Sequence, residues 1–76
     1  MSAPVKKLVE YHIKRLSDKN PDVRLKAIKE LDLLADADAL DALRQVYDND
    51  DNLDVRKAAQ EAGRSIFIKV RAESDQ

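Results

Sequence analysis

The sequence has no cysteine and no tryptophan, one glycine, one histidine and two prolines in 76 residues. Without cysteine there is no disulfide and no thiolate metal site. With Gly63 as the sole glycine, no glycine-rich phosphate loop can form. No apolar run approaches the roughly 20 residues that a membrane span needs. Met1 to Lys7 carries neither an apolar signal core nor a cleavage site. The expectation is one cytoplasmic domain over residues 1–76, with no membrane partner. Scarce Gly and Pro beside abundant Ala, Leu, Lys, Glu and Arg favour helix throughout. A core in a chain below roughly 80 residues is small, so regular helix packing, self-association or a parent assembly must support it.

Charge of one sign is also lacking: the net charge is −1. The charges are unevenly spread, however. Residues 1–31 carry eight Lys/Arg against four Asp/Glu, residues 32–54 one against eight, and residues 55–76 five against three. Lys6, Lys7 and Lys14, followed by Lys19, Lys26 and Lys29, allow a reading as a nucleic-acid-backbone binder. The acidic centre and an aromatic share of 4% argue against it.

What is present is a repeat. Asp18 to Ala27 aligns with Asp50 to Ala59 at a shift of 32 residues, with six of ten positions identical. Each copy opens a segment of helical period. Apolar spacing and caps predict four helices. The first runs from Pro4 to Ser17 with Val5, Leu8, Val9, Ile13 and Leu16 on one face, and Pro4 suits a first helical position. The second runs from Pro21 to Ala35, capped by Asn20, with Val23, Ala27, Ile28, Leu31 and Leu34 inward. The third runs from Asp38 to Tyr47 with Leu40, Leu43, Val46 and Tyr47 inward. The fourth runs from Leu53 to Ala72, capped by Asn52, with Val55, Ala59, Ala62, Ile66 and Val70 inward. Residues 73–76 read as a frayed tail. Links this short make antiparallel neighbours, giving an all-α fold of antiparallel helical hairpins or a compact bundle.

Asn20, Asp22, Val23, Arg24 and Ala27, then Leu31, Leu34, Ala39, Leu40 and Leu43, form a pattern that resembles the HEAT repeat. It is similar to the HEAT-like subtype found in phycobilisome lyases and many bacterial proteins. Asn52, Asp54, Val55, Arg56 and Ala59 repeat its opening, while Gly63 replaces the leucine that stands at position 31. The resemblance covers about 60 residues and implies a short HEAT-like solenoid of armadillo-like superhelical type. Residues 18–47 would be one full repeat, flanked by half repeats. It also implies a non-enzymatic module for protein binding. An accessory role in pigment or cofactor attachment follows only by analogy with the lyases.

Arg24 lies within the apolar arc of its helix, about 100° from Val23, and Arg56 is placed alike. A guanidinium there requires a partner, and its stem can cover apolar surface. The resemblance implies pairing with an aspartate near a neighbouring repeat's turn. Asp18, Asp22, Asp50 and Asp54 are the candidates for this ladder.

Signals of chemistry are weak. His12, between Leu8 and Leu16 on the first apolar stripe, is better read as a packed histidine than as a base or ligand, because no partner group accompanies it. Ser2, Ser17, Ser65 and Ser74 occupy no nucleophile elbow. Asp48, Asp50 and Asn52 have the spacing of the first calcium ligands of an EF-hand, but the required Gly is Leu53 and the required Glu is Ala59. Turn formation and capping explain that run better. No catalytic residue, metal, cofactor or small-molecule substrate is expected. Leu25, Leu33, Phe67 and Ile68 lie at or beyond the edges of the stripes and are the candidate surface for a protein partner or a second copy, with a homodimer as one form.

Overall fold

A computed structural model describes residues 4–74. The chain forms α1 (Pro4–Arg15), α2 (Pro21–Leu34), a 3₁₀ turn (Ala37–Ala39), α3 (Leu40–Asn49) and α4 (Leu53–Ser74), with no strand among the described residues. Side-chain caps set the starts. Asn20 Oδ1 accepts from Asp22 N–H at 2.9 Å at the head of α2, and Asn52 Oδ1 accepts from Val55 N–H at 3.0 Å at the head of α4. Asp22 and Asp54 then lie in the first turns, exposed, where the helix dipole favours negative charge.

The third helix departs from the expected start at Asp38. Asp36 Oδ1 accepts from Asp38 N–H at 2.8 Å, and this tight cap holds Ala37–Ala39 in 3₁₀ geometry before α3 begins at Leu40. The tail is shorter than expected too: Glu73 and Ser74 belong to α4, and residues 75 and 76 lie outside the described residues.

Helix α2 stops at Ala35, which adopts the left-handed conformation with φ 52° and ψ 41°, while its N–H reaches Leu31 O at 3.0 Å. Glycine is the usual residue there, because a Cβ is strained at positive φ. Ala35→Gly is therefore expected to stabilise the fold by up to about 1 kcal/mol, measured by urea denaturation. A loss of stability would show that the strain is not there to be relieved.

The helix pairing differs from the expectation of a full repeat over 18–47. Helix α1 packs on α2, α3 packs on α4, and α2 packs on α4, whereas the sequential neighbours α2 and α3 make little direct contact. The links over 16–20 and 50–52 close the two hairpins, and the 3₁₀ turn carries the chain from one hairpin to the next. Packed helices joined by such links run antiparallel. Leu31, Leu43, Val55 and Ile66 are fully buried, and Val9, Leu16, Ile28 and four alanines complete the core.

Two expected stripes are narrower than the sequence suggests. Val5 and Leu8 on α1 are 46% and 45% exposed, because only the later part of that stripe is covered. Tyr47, expected inward, is exposed on the rim of a groove between α3 and α4.

Candidate functional site

Arg24 ties the two hairpins together. From the first turn of α2 its Nη1 donates to the main-chain carbonyls of Asp18 at 2.7 Å and Lys19 at 3.2 Å, in the turn of its own hairpin. Its Nη2 donates to Asp50 Oδ1 at 3.1 Å, in the turn of the second hairpin, with Asp51 Oδ1 at 3.4 Å. Nε lies 3.0 Å from Asp50 Oδ2 without hydrogen-bond geometry, so that contact is electrostatic only. The Arg24 and Asp50 side chains are 12% and 8% exposed. Asp50 Oδ1 also accepts from Asn52 N–H at 2.9 Å, which fixes the carboxylate in the turn.

The aspartates named from the sequence thus separate. Only Asp50 gives Arg24 its carboxylate. Asp18 contributes its carbonyl, its own Oδ1 accepting from Asn20 N–H at 2.9 Å. Asp22 and Asp54 sit at helix starts and pair with no arginine among the described residues, and Asp51 is a contact the sequence did not single out. Arg56 departs most from the expectation of a buried, paired stem. It is exposed, its Nε donates to Tyr47 O at 3.0 Å, and it reaches no carboxylate among the described residues. Arg24 draws its acid from the turn of the second hairpin, and no described carboxylate stands in that relation to Arg56.

A second electrostatic cluster holds α1 to the link between hairpins. Lys6 Nζ donates to Asp36 Oδ2 at 2.9 Å and to Asp38 Oδ2 at 2.9 Å. The Lys6 hydrogen bond, and then the Asp38 N–H, hold the Asp36 carboxyl below its ordinary pKa. Asp36 first, then Asp38, raise the Lys6 ammonium above its ordinary value. A depressed carboxyl contributes stability that is complete above its unfolded pKa and is lost as pH falls through the folded one. The lysine's contribution is complete below its unfolded pKa and is lost as pH rises through the folded one. Lys6→Gln should therefore lower the melting temperature at neutral pH. The gap from wild type should close as the medium becomes acidic enough to protonate Asp36. A gap that persists unchanged in strong acid would contradict this assignment.

His12 is 7% exposed, and the Arg15 guanidinium lies 3.0 Å from its Nδ1. A guanidinium only donates, so Nδ1 accepts and the ring proton sits on Nε2. Tyr11 meets the ring edge-on at 5.1 Å. The calcium-like run is likewise committed to the fold: Asp50 faces Arg24, and Asn52 caps α4. No group of three or more His, Cys, Asp or Glu among the described residues has metal-holding geometry.

The candidate partner residues do not form one patch. Leu25 is half-buried in the groove between α2 and α4, against Ala58 and Ala62, so it belongs to the hairpin contact rather than to a free surface. Leu33 is 72% exposed, and Ile68 is exposed away from the grooves. Phe67 alone joins a site. With Leu40 and Tyr47 it borders an open groove of about 370 Å³ between α3 and α4, floored by Gly63 and Ala59. Arg44 and Arg64 together with Asp41 and Asp48 line its sides. The sequence sign of this groove is Gly63: Leu31, at the equivalent point of the first copy, is fully buried, and its counterpart here has no side chain.

Two stacked helical hairpins tied by an arginine between their turns, with an open apolar groove on the second hairpin, define an all-α helical repeat protein. The chain belongs to the family of HEAT repeats, whose description matches residues 2–63 and so spans both hairpins. HEAT repeats are generally scaffolds for protein interaction. No curated protein and no solved structure matches the chain. No helix among the described residues is long and apolar enough to cross a membrane.

Proposed function

We propose that this chain is a non-enzymatic protein-interaction module that binds its partner in the α3/α4 groove. The observation that carries the reading is the groove itself. Phe67 and Tyr47 are 52% and 38% exposed on either side of a floor with no side chain at Gly63. Exposed aromatics around a concave apolar floor are the features that anchor protein interfaces. The family's general use in protein interaction supports the same reading.

The Lys-rich reading has less support. Lys6, one of its six lysines, is engaged by Asp36 and Asp38, and the acidic centre adds charge that repels phosphate. Nothing about the groove favours a pigment or cofactor.

A photo-cross-linking amino acid at Tyr47 in the full chain tests the reading. The adduct is expected to be a protein, either another polypeptide or a second copy. It should be lost with Phe67→Glu and retained with Leu33→Glu. Adducts with nucleic acid alone, or with nothing, would overturn the proposal.

A further inference from the structure

The groove carries a complementarity to itself, and the inference drawn from it rests on the interaction reading above. Gly63 and Phe67 stand one turn apart on α4, about 6 Å along its axis. Gly63 is a hole: a Cβ built there meets nothing within 4 Å. Phe67 is a knob: its ring is half exposed, and the Arg71 guanidinium lies over it at 5.8 Å, which limits where the ring can point.

A two-fold axis crossing α4 midway between these residues sets two copies of the helix antiparallel. The same operation places each Phe67 over the other copy's Gly63, so one axis fills both holes. The groove lining carries no net charge, with two arginines and two aspartates, of which Arg44 and Asp48 lie 4.0 Å apart. The face is large enough as well. Helix α4 has 22 residues and α3 has 10, about 33 Å and about 15 Å of length, so the face they share covers on the order of 500 Å². Two such faces bury about 1,000 Å² in total, the least that a specific interface needs. We propose that this chain forms a two-fold symmetric dimer in which α4 packs antiparallel on α4 of a second copy, each Phe67 ring entering the groove over the other's Gly63.

Sedimentation equilibrium of the full chain, from micromolar to millimolar concentration, reads the mass directly. Wild type is expected to move from the monomer mass at micromolar concentration to the dimer mass toward millimolar. Phe67→Gln, at an exposed site, and Gly63→Gln, at a half-buried site where a new Cβ meets nothing within 4 Å, are both compatible with helix and should give the monomer with unchanged helical circular dichroism. Ile68→Gln, about 140° round the helix from Gly63, should leave the dimer intact.

The absence of cysteine allows a second readout. Copies bearing Gly63→Cys mixed with copies bearing Phe67→Cys should oxidise mainly to the mixed disulfide, because residue 63 faces residue 67 across the axis. Statistical proportions of mixed and like disulfides would overturn the antiparallel pairing. A wild type that stays monomeric throughout, or a dimer that survives both groove substitutions, would overturn the proposal. The interaction reading would then stand or fall on the cross-link to a different protein.

Discussion

Arg24→Ala is expected to cost about 2–3 kcal/mol, whereas Arg56→Ala, at the equivalent point of the repeat, should cost under about 1 kcal/mol. The contrast comes from partners rather than from residue type. Arg24 is nearly covered, bridges two turns and neutralises Asp50, whose side chain is 8% exposed. Its removal strands that carboxylate and opens two main-chain carbonyls at once, a larger loss than one exposed ion pair represents. Arg56 is exposed and gives up a single hydrogen bond to Tyr47 O. For a domain of this size the Arg24 loss corresponds to a fall in melting temperature of about 10–20 °C. Lys26→Ala, at an exposed site on the same helix, should move it by far less. Asp50→Ala should resemble Arg24→Ala, and the double mutant should cost less than the two losses added, because both remove the same contact. Equal melting temperatures for the Arg24 and Arg56 variants would remove this account of how the hairpins are joined.

Leu31→Ala should destabilise the fold by about 3 kcal/mol, while Gly63→Ala should stabilise the monomer by up to about 1 kcal/mol. These residues also occupy equivalent points of the repeat, yet the expected signs are opposite. Leu31 is fully buried, so truncation leaves a cavity in the core. At Gly63 a new methyl group enters open space, and the helix gains from the restricted backbone. A domain with so small a core holds a total stability near the low end of the ordinary ~5–15 kcal/mol, so Leu31→Ala should come close to unfolding it at 37 °C. Urea denaturation at micromolar concentration, where dissociation favours the monomer, measures both. A destabilising Gly63→Ala would mean that the groove floor is closed in solution.

What was legible in the sequence was local. Asn20 and Asn52 as caps, Pro21 at a helix start and the 3.6-residue spacing of Ala27, Ile28 and Leu31 act within a few residues, and they place the helices and the repeat. Arg24's need for an acid was legible in the same way, from a guanidinium within an apolar arc. Its partner was legible only as one of four candidate aspartates, because Asp50 is 26 residues away and only the stacking of hairpins singles it out. Arg56 shows the limit: a repeated motif copies the side chain without fixing its partner, and here the guanidinium takes the Tyr47 carbonyl. The hairpin units were misplaced for a related reason. A period of 32 residues is unchanged by where counting starts, and the short links around Asn20 and Asn52, rather than the motif, decide which helices pair. The groove was hidden too, since it depends on which faces remain uncovered once the hairpins stack. Its one sequence sign was glycine where the first copy has leucine.

The claim that the working surface is the α3/α4 groove is tested most directly by two-dimensional ¹H–¹⁵N NMR of the full chain, followed on dilution and on titration with duplex DNA at physiological salt. Dilution should shift the amide signals around Leu40, Tyr47, Gly63 and Phe67, while DNA should leave Lys7, Lys14, Lys26 and Lys29 unmoved. A groove silent on dilution together with salt-sensitive, DNA-induced shifts along those lysines would contradict the account.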